Sequence, residues 1–144
     1  MPRARRSREL TAAPEDVWRV VANPHHLTRW WPDVTRVEAV AEDQFTMVIP
    51  TRKGRPMRVD YRLVELEEPH RVSWTQEVIG TPFERVLAEQ VTTITLKPLD
   101  VGTRVQLDMR QRLRGYARLG GWMLRRANRD RLNSALDALA GILG

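Results

Sequence analysis

The chain has 144 residues, 42% of them hydrophobic and 29% charged, no cysteine, and a formal net charge of +6 with a pI near 10.9. Such a length predicts one domain, residues 1–144, that hides roughly 68–70% of the extended chain's surface, and the composition is that of a soluble globular protein, not a disordered one. The lack of cysteine excludes disulfides, thiolate zinc sites and a cysteine nucleophile. It fits a reducing cytoplasm, as do the absence of any apolar run of about 18–20 residues and of an apolar stretch behind the basic start MPRARRSREL.

Arg3 to Leu10 carries charge at most positions and reads as a strand at a sheet edge, where charge discourages pairing with other chains. Pro14 followed by Glu15 and Asp16 is a helix start, with proline in the first turn and two acids near the positive end of the helix dipole. Val17, Trp18, Val20 and Val21 supply its apolar stripe. Asn23 and Pro24 begin a second short helix that runs to about Trp31, where Pro32 stops it.

From Val34 to Arg114 the apolar period becomes two. Phe45, Met47 and Ile49 fall at alternate positions, as do Met57, Val59, Tyr61 and Leu63, then Val72, Trp74, Gln76 and Val78, and then Val105, Leu107, Met109, Gln111 and Leu113. The breaks Glu42-Asp43, Lys53-Gly54, Glu68-Pro69, Gly80-Thr81-Pro82 and Asp100-Val101-Gly102 are turn sequences, and none is long enough for a parallel crossover. After Gly115 the period returns to that of a helix. Leu124, Asn128, Leu132, Ala135, Leu136, Leu139, Ile142 and Leu143 fall on one stripe, with Arg125, Arg129 and Asp137 away from it. A half-buried sheet must be covered on its apolar face, and this last helix is the one element large enough to do so. The predicted class is α+β, a curved antiparallel sheet of about seven strands around a long C-terminal helix, with two short helices after the first strand.

The pieces Ala13-Pro14-Glu15-Asp16-Val17-Trp18, Asn23-Pro24 and Trp30-Trp31-Pro32-Asp33 resemble the N-terminal signature of the SRPBCC (START-like) superfamily, in particular its polyketide cyclase/dehydrase group. Thr81-Pro82-Phe83-Glu84 and Gly102-Thr103-Arg104-Val105 are similar to segments of bacterial members. The resemblance covers nearly the whole chain and implies the helix-grip fold with an internal cavity. It names no reaction, since the superfamily includes cyclases, lipid carriers and hormone receptors alike.

Gln76, Gln90, Thr92 and Gln111 are polar residues on otherwise apolar strand faces, and Asn128 is the polar member of the helix's inner stripe. Buried amides need partners, so they either line a ligand pocket, bond to one another, or mark where the sheet turns out to solvent. Trp30, Tyr61, Trp74, Met109 and Met123 offer aromatic and flexible apolar surface for a flat hydrophobic ligand, or simply fill the core. Trp18 and Trp31 read as anchors of the short helices. Were the chain a cyclase, Tyr61, Gln76, Gln90 and Asn128 would be the groups moving protons, by positioning a reactive chain away from water.

No cofactor is implied. His25 and His26 are adjacent on a short helix and cannot share a metal, His70 lies in a turn, and no serine neighbours a histidine in this topology, which argues against a covalent hydrolase. Asp60 and Glu77 fall on the outer sheet face, paired with Arg58, Arg62 and Arg85. Of the 24 basic residues only Lys53 and Lys97 are lysines. Their scatter argues against nucleic acid. The run Arg110, Arg112, Arg114, Arg118, Arg125, Arg126, Arg129 and Arg131 is either a solvated face or a surface for an acidic carrier protein or an anionic membrane. The expected function is binding of a small hydrophobic molecule between sheet and helix, with a cyclase/dehydratase-type enzyme as the alternative and a basic surface-binding module as a remote one.

Overall fold

A computed structural model describes residues 3–51 and 53–144, leaving aside the side chains at 116 and 117. Seven strands form one antiparallel sheet: β1 (Arg3–Leu10), β2 (Arg36–Glu38), β3 (Gln44–Ile49), β4 (Met57–Glu67), β5 (Arg71–Gln76), β6 (Leu87–Pro98) and β7 (Thr103–Leu113). Their spatial order is β1-β7-β6-β5-β4-β3-β2, a meander from β2 to β7 with β1 returning to the edge beside β7. The seven strands and the covering helix agree with the sequence expectation.

Helix α1 (Pro14–Val21) begins with its proline in the first turn and buries Val17, Trp18, Val20 and Val21. The second short helix is built in two pieces. The Asn23 side chain accepts the His25 N–H at 3.0 Å and opens a single 3-10 turn, Pro24–His26, which leads into α2 (Leu27–Trp30). Trp30 and Trp31 are thereby turned inward, at 2% and 5% exposure.

Helix α3 (Gly121–Leu143) is 23 residues, about 35 Å, long enough to cross the whole inner face. Asn128, Leu132, Ala135, Leu136 and Leu139 face the sheet. Its far end is tied to the β1–α1 junction: Gly144 O accepts from the Thr11 N–H at 2.6 Å and the Thr11 hydroxyl at 2.9 Å. Arg8 on β1 pairs with Asp137 on the same helix. The β6–β7 turn needs Gly102, at φ +87°, because a Cβ there would run into the Leu10 backbone.

Edge strand β1 is held from the outer face as well. Asp108 on β7 accepts from Arg3 (2.7 and 3.1 Å) and Arg5 (2.9 and 3.0 Å). Burial raises the Asp108 carboxyl, but those hydrogen bonds and charges outweigh it and hold it below the usual carboxylate range. The outer carboxylates depart from expectation at one point. Asp60 accepts from the Thr46 hydroxyl at 2.6 Å, its neighbour in the β3–β4 register, and Arg58 turns instead to Glu38 at 3.0 Å; Glu77 pairs with Arg62 at 3.6 Å.

Candidate functional site

The inner sheet face is organised in transverse rows, and one row carries most of the predicted polar residues. Phe45 pairs with Tyr61, Tyr61 with Gln76, and Gln90 with Gln111. Thr75 pairs with Val91, which puts Gln76 level with Gln90, so the row runs unbroken across β3 to β7. Opposite it stands Asn128 of α3. Asn128 Nδ2 donates to Gln111 Oε1 at 3.0 Å, and Gln111 Nε2 donates to Gln90 Oε1 at 2.6 Å. Of the readings open for these amides, mutual bonding holds for Gln90, Gln111 and Asn128, all of them buried.

Among the described residues two buried donors have no such partner: Gln76 Nε2 and Trp30 Nε1. A buried N–H without an acceptor costs about 1–3 kcal/mol, so each is a place where a bound oxygen would be well received.

The next row inward is apolar except for one hydroxyl: Leu63, Trp74, Thr92 and Met109 are successive cross-strand partners. Trp74 is the hub of an aromatic cluster, with ring centroids 5.3 Å from Trp31, 5.3 Å from Phe45 and 5.5 Å from Tyr61; Trp30 meets Trp31 at 5.4 Å. These rings fill the grip. The apolar cavity lined by Val21, Ala22, Pro24, Leu27, Phe45, Leu63, Val72 and Trp74 holds about 10 Å³, barely one water and not the ligand-sized space expected. Outward of the amide row, Val78, Leu87 and Leu113 pack with Phe83 and Leu124 as a small separate cluster. The amides thus lie between the main core and this minor one, with Phe83 packed against both.

Nine of the ten predicted residues are therefore inside the grip: Trp30 on α2, and Tyr61, Trp74, Gln76, Gln90, Thr92, Met109, Gln111 and Asn128 on the sheet and α3, are all buried. Met123 is not with them. It is 59% exposed on the first turn of α3, because it stands about 100° around the helix from Leu124, which takes the inward position instead. The sequence marks Arg131 only as part of the arginine run, not as a neighbour of Tyr61. Burial pushes the Tyr61 phenol up to about 12, and the Arg131 guanidinium opposes that rise. Its place on the outer side of the helix stripe gave no sign of this. Among the described residues no three His, Asp or Glu side chains are grouped to hold a metal ion.

The family described as polyketide cyclase/dehydrase and lipid transport matches residues 1–144. The chain belongs to this family. Among solved structures it is similar to the di-domain ARO/CYC BexL from the BE-7585A biosynthetic pathway, at 28% identity and TM-score 0.78, covering 98% of this chain. The chain spans 46% of the length of that protein. It is also similar in fold to the di-domain ARO/CYC StfQ from the steffimycin pathway (14% identity, TM-score 0.77, 97% of this chain and 50% of that one). A START superfamily protein from Mycobacterium smegmatis shares the fold over both chains (15% identity, TM-score 0.79, 98% and 96%). No curated protein matches the sequence. The START-like arrangement read from the residues is thus established, while the chemistry of this member rests on its own side chains.

For this family member the state of Tyr61 limits that chemistry: below about pH 10 it is a neutral O–H and no tyrosinate base. A phenol whose pKa is raised on folding contributes stability in full below its unfolded pKa and loses it as pH rises toward the folded value. Wild-type stability is therefore expected to fall by about 2 kcal/mol between pH 10 and 12 relative to Tyr61→Phe, in urea unfolding at stepped pH. Parallel pH curves for the two proteins would show that the phenol is not shielded.

Proposed function

We propose that residues 1–144 act as one START-like unit, working in the cytoplasm, that binds a small, mostly hydrophobic molecule between the inner sheet face and α3. The observation that carries this reading is the polar row on an otherwise apolar wall, with Gln76 Nε2 and Trp30 Nε1 as buried donors lacking acceptors. Trp74, Tyr61 and Phe45 supply flat apolar contact beside them. The ligand that suits this wall is flat or chain-like, apolar, and carries at least one carbonyl or hydroxyl oxygen: lipid-, polyketide- or other aromatic-like.

Entry requires movement, because the apolar cavity beside Phe45 and Trp74 holds only about 10 Å³. The minor cluster of Val78, Leu87, Leu113, Phe83 and Leu124 is a small closure, a few apolar side chains joining the β5–β6 connection to the first turns of α3. Elements held by so little burial open at the lowest cost.

Catalysis of the polyketide cyclase/dehydratase kind is the second reading, supported by the likeness to BexL over nearly the whole chain. It would proceed by holding a reactive chain in a folded shape out of water, with amides and the neutral Tyr61 hydroxyl directing its oxygens. Titrating a hydroxylated anthraquinone against the buried tryptophans tests the binding reading. Quenching of wild type is expected, with affinity about tenfold lower in Gln76→Leu, the worth of one hydrogen bond. No quenching, or no difference between the two proteins, would count against the site. Turnover lost in Tyr61→Phe with affinity retained would favour the enzyme.

A further inference from the structure

At the end of the molecule where the minor cluster closes the grip, large apolar side chains stand in solvent on two separate segments. Leu119, Trp122 and Met123 are 78%, 60% and 59% exposed around the start of α3, and Ile79 and Val86 are 84% and 46% exposed on the β5–β6 connection. The two segments meet there: Phe83 and Leu124 pack into the same cluster, and Val86 O accepts from the Arg114 N–H at 2.8 Å. Trp122 is the one exposed tryptophan; the other four are buried.

Cations surround this apolar tip. Arg125, Arg126 and Arg129 line an open groove with Trp122 and with Arg3 of β1. Arg85, Arg114 and Arg118 are exposed on the same two segments. From Gly115 to Arg129 the sequence has no acidic residue at all, Asp130 being the first. Glu84, the acid nearest on the other segment, is turned back to accept from the Gly80 N–H at 3.1 Å. An exposed indole with neighbouring aliphatic side chains, ringed by guanidinium groups on long stems, is the arrangement that lies in the headgroup region of a bilayer. The indole sits at the boundary, the apolar tips enter, and the arginines meet anionic headgroups.

We infer that this tip docks on an anionic lipid surface, with Trp122, Met123 and Leu119 inserted and Arg125, Arg126 and Arg129 on the headgroups. A purely acidic surface would satisfy the arginines alone and leave the five apolar side chains in water. The docking surface stands on exposure and charge by themselves. That it is also the door through which a lipid-soluble ligand reaches the amide row rests on the function proposed above.

Co-sedimentation with vesicles of phosphatidylcholine alone, or mixed with phosphatidylglycerol, tests the docking without reference to any internal ligand. Binding is expected to the mixed vesicles only and to weaken as salt rises. Trp122 emission, isolated as the difference from Trp122→Phe, should shift to the blue on binding. The pair Arg125→Gln and Arg126→Gln should lower the partition coefficient roughly thirty-fold, at the usual worth of a basic residue near an anionic membrane. All the substituted residues are exposed, so the folds are retained, as far-ultraviolet circular dichroism will show. Failure to bind mixed vesicles at low salt overturns the inference, and so does salt-sensitive binding to polyglutamate with no vesicle binding, which would assign the tip to an acidic protein. Vesicle binding with no anthraquinone binding would keep the docking and reject the pocket.

Discussion

Trp74→Ala is expected to destabilise the fold by about 3–5 kcal/mol, the range for emptying a buried tryptophan site that cannot collapse. Trp74 is 3% exposed and touches three other rings, each from a different part of the chain, so no single neighbour can move into the space. Urea unfolding measures the loss. The void should also accept indole, and added indole should restore part of the stability in a concentration-dependent manner. A loss below about 1 kcal/mol would mean that the ring cluster packs far more loosely than its centroid distances indicate, and that the grip is already open.

Gln111→Leu should show the second large effect, about 2–4 kcal/mol, for a different reason. Gln111 is the middle link between Asn128 and Gln90, so its removal leaves a buried donor on one side and a buried acceptor on the other. Replacing Gln90, Gln111 and Asn128 together by leucine removes both orphans that the single change creates, and its cost should be close to zero or favourable. Stability alone would then not require these amides in the wall. The expected pattern is a triple variant at least as stable as Gln111→Leu but weaker in anthraquinone binding. If the triple variant binds as well as wild type, the three amides are a packing device and the ligand does not touch them. If the triple variant is less stable than the single one, the three amides are not a self-contained network.

Much of this was legible in the chain itself, and the parts that were not have identifiable causes. Along Met57–Leu63, Val72–Gln76 and Val105–Leu113 apolar residues alternate with polar ones, so the inward residues could be named from period alone, even though the outer face is itself partly covered, with Val48, Ser73 and Asp108 buried there. The row of Tyr61, Gln76, Gln90 and Gln111 could not, since it depends on register. The register shifts between Leu63 and Glu65 and again between Leu87 and Glu89, and nothing in the residues at Val64 or Ala88 announces an extra place. Pairing of the amides with one another is likewise a matter of distance.

The size of the cavity was the furthest from reach. Whether Trp30, Trp31, Phe45, Tyr61 and Trp74 surround a space or fill it is decided by the rotamers of five rings drawn from four parts of the chain. Met123 was within reach. The inward stripe of Leu124, Asn128 and Leu132 already excludes its immediate neighbour on helical phase, and its thioether's flexibility was the weaker guide. The arginines at the start of α3 were legible as a candidate surface, but the apolar side chains beside them were not, because the β5–β6 connection that supplies Ile79 and Val86 lies against that end of α3 only in the fold.

Native mass spectrometry of the protein purified from its own host bears most directly on ligand binding at the amide row, with any bound molecule extracted and identified. The expected result is a bound species of discrete mass, apolar and oxygen-bearing, present in wild type and depleted in Gln76→Leu. A protein that carries no small molecule, and takes up none from a lipid extract of the same cells, would contradict it.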